Sequence, residues 1–162
     1  MLQATRTIQE HECKWRIAST DDYVRFMEQA RQLGADVSEP RSVAIHDVYL
    51  DTEDGYFHLA GARCRLRSMD DRWELTFKAS RKADNNIFRR MEKTFALPGV
   101  GSESEAMEYC QREILLPIVK GRSVVSLFSL SNRREIRELV FADGIRVESG
   151  FDEVEMRYLN RS

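Results

Sequence analysis

The stretch "QEHECKWRI" at residues 9–17 sets Glu10, Glu12, Lys14 and Arg16 two residues apart. Read as a strand, it puts those charges on one face and His11, Cys13, Trp15 and Ile17 on the other. Paired carboxylates are the hard oxygen ligands that Mg²⁺ and Mn²⁺ take, with waters and substrate phosphates completing the shell. A lysine beside them adds a compact point charge, and arginines present planar forks that match phosphate oxygens. Acids and bases along one face therefore suit a metal and a chain of phosphates.

The pattern recurs. Arg63, Arg65 and Arg67 alternate in "ARCRLRS", Lys78 ends the polar side of "RWELTFKAS", and Arg90 and Glu92 share a side in "IFRRMEKTFAL". One strand with a solvated face would also alternate, but such faces mix Ser, Thr, Gln and Lys, whereas here Arg and Glu predominate. Buried without partners, so much charge would cost several kcal/mol per ion, so the face must be wet, self-paired or filled by a ligand. A sheet of about eight strands closed on itself can hold one small ligand. The expectation is an α+β fold, mainly β: a closed antiparallel barrel or tunnel with a charged interior and flanking helices.

The elements that would carry this face are legible in outline. "STDDYVRFMEQARQLG" reads as a helix, capped by Ser19 or Thr20, with Asp21 and Asp22 at its positive end, a stripe of Tyr23, Phe26, Met27, Ala30 and Leu33, and Gly34 to stop it. "SVAIHDVYLDT" reads as a strand, and "ARCRLRS" and "RWELTFKAS" as a hairpin about the turn "MDD", with Trp73, Leu75 and Phe77 opposite Glu74, Thr76 and Lys78. "SESEAMEYCQREIL" has a serine cap and helical periodicity, and the last third reads as long strands folded back at Ala142-Asp143-Gly144. That makes seven or eight strands and two helices in one domain, residues 1–162, with no repeat or linker.

The 25 basic and 27 acidic side chains, a formal net charge of −2, give no overall pull toward nucleic acid, and any anion site must be local. No apolar run approaches the roughly 20 residues that span a bilayer, and the N-terminus lacks a signal-peptide core. Cys13, Cys64 and Cys110 are odd in number and scattered, which suits reduced thiols in a cytoplasmic protein. Cys13 and Cys64 flank the charges and read as small buried hydrophobes. Trp15 and Trp73 read as outer packing, His11 and His58 as surface or packing residues, and His46 is open to either side. "PGVGS" has no lysine at phosphate-loop spacing and reads as a loop.

The spacing Glu10-x-Glu12-x-Lys14 resembles the ExExK signature of the CYTH superfamily, the triphosphate tunnel metalloenzymes, whose members include class IV adenylate cyclases, thiamine triphosphatases and inorganic triphosphatases. "HDVYLDTEDGYFHLAGARCRLR", "RWELTFK" and "RRME" are similar to the segments that follow it in that family. The resemblance runs from about residue 9 to residue 95. It implies that Glu10, Glu12 and Glu92 hold a Mg²⁺ or Mn²⁺ ion and that Lys14, Arg65, Arg67, Lys78 and Arg90 grip phosphate oxygens. It also implies that Tyr49 positions the attacking water or Lys14. Arg133 and Arg134 fall where the family has a basic pair, and period two lets only one of them point inward. Asp152 resembles a further metal-binding aspartate, with Glu148, Glu153 and Glu155 as other candidates. Thr94 stands where the family often has a second acid.

Three activities remain open at this point. Water could attack the terminal phosphorus of tripolyphosphate or of a triphosphorylated organic substrate; bound ATP could close on itself to give cyclic AMP and pyrophosphate; or the site could capture polyphosphate without turnover. The absence of an evident adenine pocket favours hydrolysis. The expected partner is a small triphosphate or polyphosphate rather than nucleic acid or membrane, and nothing in the sequence stands against a homodimer.

Overall fold

Alternation sorts the side chains of four consecutive strands onto two chemically different faces, and the register shows how cleanly. A computed structural model describes residue 13 and residues 15–82 and 88–159, with the backbone alone at 80–82 and 88–91. Its strands are β1 (Asp36–Val37), β2 (Arg41–Thr52), β3 (Ala62–Met69), β4 (Arg72–Lys82), β5 (Phe88–Leu97), β6 (Val124–Val140) and β7 (Arg146–Tyr158). They form a sheet in the order β1-β6-β2-β3-β4-β5, with β7 paired to β6. The ladders β2 to β3, β3 to β4, β4 to β5 and β1 to β6 are antiparallel.

Cα packing divides the chain into two units, one built on Ile45–Ser131 with the chain from Glu155, the other on the chain from Gln9 to Ala44 with Asn132–Val154. In the first unit, one sheet face carries the rows Val48-Leu66-Leu75-Phe95 and Leu50-Cys64-Phe77. This face is buried under a short helix α2 (Tyr56–Leu59) and a helical segment made of α3 (Glu103–Tyr109), a π-helical turn (Cys110–Leu115) and α4 (Leu116–Val119). Phe57, Ala106, Cys110, Ile114, Leu115 and Val119 join those strand residues in one core, with Trp73 half-buried against it. In the second unit, helix α1 (Thr20–Gln32) buries Tyr23, Met27 and Ala30 with Ala35 and Leu139, and Tyr23 stacks on Phe151 at 4.8 Å between ring centres.

The ends of these elements follow local chemistry. Ser19 and Asp22 form a reciprocal capping box at α1, and Gly34 after its end takes a positive φ of 88°. The β3–β4 hairpin turns on Asp70 and Asp71, both left-handed, which aspartate tolerates and a two-residue hairpin requires. Gly144, also left-handed, closes the β6–β7 turn. Asp51 is buried at the end of β2 and accepts from the backbone N–H groups of Thr52 (2.7 Å), Phe57 (2.8 Å) and His58 (3.0 Å), which satisfies the open N-terminus of α2.

Several expectations change here. The described strands number seven, and among the described residues no hydrogen-bonded ladder closes the sheet on itself. The expected first strand lies outside the described residues except for Cys13 and residues 15–17, which are not in a strand. Cys13 and Trp15 are exposed, correcting the expectation of burial: without a ladder partner there, period two has nothing to act on. Trp15 lies beside Phe26, with ring centres 6.5 Å apart. The helix α2 falls between the strand "SVAIHDVYLDT" and "ARCRLRS", where the sequence marked no element, because its start is organised by Asp51 from six and seven residues away in sequence rather than by a local apolar stripe. No helix among the described residues is long and apolar enough to cross a membrane.

Candidate functional site

The second face of the β2–β5 sheet carries the charge. Register sets Asp47, Arg67 and Glu74 in one row, Tyr49, Arg65, Thr76 and Thr94 in the next, and Arg63, Lys78 and Glu92 in a third. Directly opposed residues on antiparallel strands share a face and touch, so these rows are side-chain neighbours by construction. Arg65, Arg67, Lys78 and Glu92 therefore share one face in adjacent rows. Arg90 lies opposite Ser80 in the same ladder, one further row along. Glu10, Glu12 and Lys14 lie outside the described residues.

The centre of this face is buried. Asp47 takes Arg67 in a two-point grip, with Nε donating to Oδ1 at 2.6 Å and Nη2 to Oδ2 at 2.8 Å. Their side chains are 8 % and 19 % exposed. Arg65 lies in the next row with Nη1 3.8 Å from Asp47 Oδ2, and its Nε is buried without a hydrogen-bond partner among the described residues. A buried, unsatisfied guanidinium N–H is costly, and such groups in native proteins are normally paired with protein, water or ligand. Thr76, fully buried beside it, shares a hydrogen bond with Thr94 at 3.1 Å. At the open end of the face Lys78 Nζ meets Glu92 Oε2 at 3.1 Å, each side chain about half exposed (49 % and 50 %). Tyr49 stacks on Phe128 of β6, with centres 4.6 Å apart and planes 17° from parallel.

In the second unit, Asp152 accepts from Arg134 Nε (2.6 Å) and Nη2 (2.7 Å) and from Asn132 Nδ2 (2.8 Å). Arg134 and Arg133 lie on opposite faces of β6; Arg133, exposed, shares its side with Leu139, which packs against α1. Glu148 and Glu153 are exposed, and Glu155 pairs with Arg157 at 3.0 Å.

Among the described residues the donor set for a metal is incomplete. Among the described residues no group of three or more His, Cys, Asp or Glu side chains could hold an ion. Glu92 is tied to Lys78, and Thr94 supplies a hydroxyl where a second carboxylate would help. The described face fits an anion better than a cation.

Asp47 is the site residue that the sequence reading passed over. It lies two residues before Tyr49 in "HDVYLDT", so period two already put it on the face of Tyr49. The remaining conspicuous side chains are structural. His46 lies on the apolar face and reaches Glu103 at the start of α3 (Nε2 to Oε2, 3.0 Å), and His58 is exposed. Cys64 and Cys110 are buried in the core; burial drives the Cys64 thiol pKa far up and pushes that of Cys110 up to about 12, so neither is a nucleophile. Asp54, held by Thr52 and by the Arg122 guanidinium (2.9 Å), has its carboxyl drawn below the usual range, and Arg122 also covers the Tyr56 ring at 4.7 Å.

No curated protein matches the chain in a sequence comparison. Among solved structures, it is similar to the proposed adenylyl cyclase HpAC1 from Hippeastrum, for which a dominant triphosphatase activity is described: 15 % identity, TM-score 0.49, covering 85 % of this chain and 76 % of that one. It is similar to the PH1012 protein from Pyrococcus horikoshii OT3 at 18 % identity and a TM-score of 0.44, covering 90 % and 76 %. A proposed adenylate cyclase from Bacillus halodurans gives 14 % identity and a TM-score of 0.44, covering 86 % and 75 %. The CYTH domain family matches residues 9–159, nearly the whole chain and well past the part whose motifs were readable, and on that match the chain belongs to the CYTH family.

Proposed function

We propose that this protein hydrolyses a triphosphate, inorganic tripolyphosphate or a triphosphorylated organic molecule, on the charged face of the β2–β5 sheet. The observation that carries the reading is Arg65: a guanidinium brought into a buried face with its Nε unsatisfied, in a row between Arg67 and Lys78. A polyanion supplies what that N–H lacks. Arg65 and Arg67, with Lys78 and Arg90 further along and Lys14 from the N-terminal segment, would hold successive phosphate oxygens and offset the charge that spreads over them as the terminal P–O bond breaks. One of Arg133 and Arg134 is the further basic residue that the family resemblance assigns to substrate. Tyr49, its ring fixed by Phe128, would orient the attacking water or Lys14. The reading takes residues 1–162 as one triphosphate-binding domain.

Glu10, Glu12, Glu92 and Asp152 are the carboxylates that the family resemblance assigns to Mg²⁺ or Mn²⁺, which when bound would neutralise phosphate charge. Self-attack of ATP to give cyclic AMP uses the same grip and is separated by product. The test offers the purified protein tripolyphosphate, ATP and thiamine triphosphate with Mg²⁺ or Mn²⁺. Hydrolysis predicts phosphate release that Glu12→Gln abolishes while the circular dichroism spectrum stays unchanged. Cyclic AMP as the product, or tight binding with no turnover, would replace the hydrolase reading.

A further inference from the structure

Asp47 is an acid placed where the site should bind an anion, and a carboxylate there repels phosphate unless it has another task. Its geometry defines that task. Both oxygens face arginine donors: Oδ1 and Oδ2 close the two-point grip on Arg67, and Oδ2 lies 3.8 Å from Arg65 Nη1. A guanidinium on a flexible stem loses rotamer freedom when it binds a ligand, so fixing it beforehand improves affinity without adding a ligand contact. The backbone supports the arrangement, because Asp47 and Arg67 are direct partners in the β2–β3 ladder, with Glu74 next in the row.

The geometry points to Asp47 as a positioning residue that presets the Arg67 guanidinium, and through it the edge of the phosphate grip, before substrate arrives. This rests on the triphosphate reading above. Asp47 touches no substrate in this role; it sets the direction of a side chain that does. Its own negative charge is offset by Arg67 and, at longer range, by Arg65, so the local balance stays in favour of an anion.

The experiment is a double-mutant cycle read by isothermal titration of inorganic tripolyphosphate, with Mg²⁺ present, into the wild type, Asp47→Asn, Arg67→Gln and the double variant. Asparagine keeps the shape of aspartate but turns an N–H toward Arg67 Nη2, which breaks one of the two charged hydrogen bonds. Asp47→Asn is expected to weaken tripolyphosphate binding about tenfold, the scale of one charge-assisted hydrogen bond, and the double variant to bind no worse than Arg67→Gln alone. Wild-type affinity in Asp47→Asn, or a double variant weaker than Arg67→Gln by the full Asp47→Asn factor, overturns the inference and leaves the triphosphate reading standing. A lowered melting temperature with unchanged affinity has the same effect, since it makes Asp47 merely structural. If Asp47→Asn does not fold, the comparison of the double variant with Arg67→Gln decides alone, equal affinity supporting the role and further weakening ending it. A wild type that does not bind tripolyphosphate overturns both readings together.

Discussion

Two arginine–aspartate pairs in this protein have nearly the same geometry and different surroundings. Asp47 and Arg67 meet through Nε and Nη2 at 2.6 and 2.8 Å, Arg134 and Asp152 through the same atoms at 2.6 and 2.7 Å. The first pair is 8 % and 19 % exposed, the second 34 % and 33 % for its acid and its base. Water screens the second pair, whereas the first pair has given up most of its hydration. Equal hydrogen bonds thus carry unequal consequences. In the buried pair the arginine is fixed away from water; in the half-exposed pair both side chains also meet solvent.

The strongest way to break this contrast is Asp47→Ala. Removing the acid takes the two-point charged grip from Arg67 in a site that is mostly closed to water, and the expected loss is about 3 kcal/mol of folding free energy, the order seen when one partner of a buried ion pair is removed. Urea denaturation measures it. A loss no greater than that of a surface substitution would show that Arg67 reaches water or another acid when Asp47 is gone.

Asp152→Ala is the matched control at intermediate depth. Arg134 is already a third exposed, and the expected cost in the same urea titration is about 1 kcal/mol or less. An Asp152→Ala loss as large as that of Asp47→Ala would mean that burial does not rank these pairs.

How far the sequence disclosed this arrangement depended on whether a residue's place follows from its neighbours in the chain. The faces of β3 and β4 were legible because "RCRLR" and "WELTFK" alternate without interruption, and the hairpin turn is encoded by the two aspartates between them. Ser19 and Gly34 announced the ends of α1 by the same local logic. Period two sets Asp47 on the face of Tyr49, but its role was not legible because its partner, Arg67, is 20 residues away. The helix α2 was missed for a related reason, its start being held by Asp51 at the end of β2. Cys13 and Trp15 misled because alternation predicts burial only where a strand has something to bury against. The family motifs were readable up to about residue 95, yet the family match extends to residue 159.

The smallest stability effect belongs to the third pair, Lys78 and Glu92, at 3.1 Å and about half exposed on directly opposed positions of β4 and β5. A cross-strand ion pair this wet offsets little more than the entropy of holding two long side chains together, so Lys78→Met should change stability by less than about 0.5 kcal/mol. Its charge nevertheless lies in the row beside Arg65, where a phosphate chain would displace Glu92 from it without paying for burial. Lys78→Met is therefore expected to reduce the thermal shift that tripolyphosphate gives the wild type, and the difference between the two should shrink as salt rises, because an exposed charge is screened. The gradient from Asp47 to Lys78 then runs in opposite senses: the deepest pair matters most to the fold, and the shallowest is the one whose base can change partner at least cost. A Lys78→Met protein that loses stability but keeps the full tripolyphosphate shift would reverse that order and remove Lys78 from the grip.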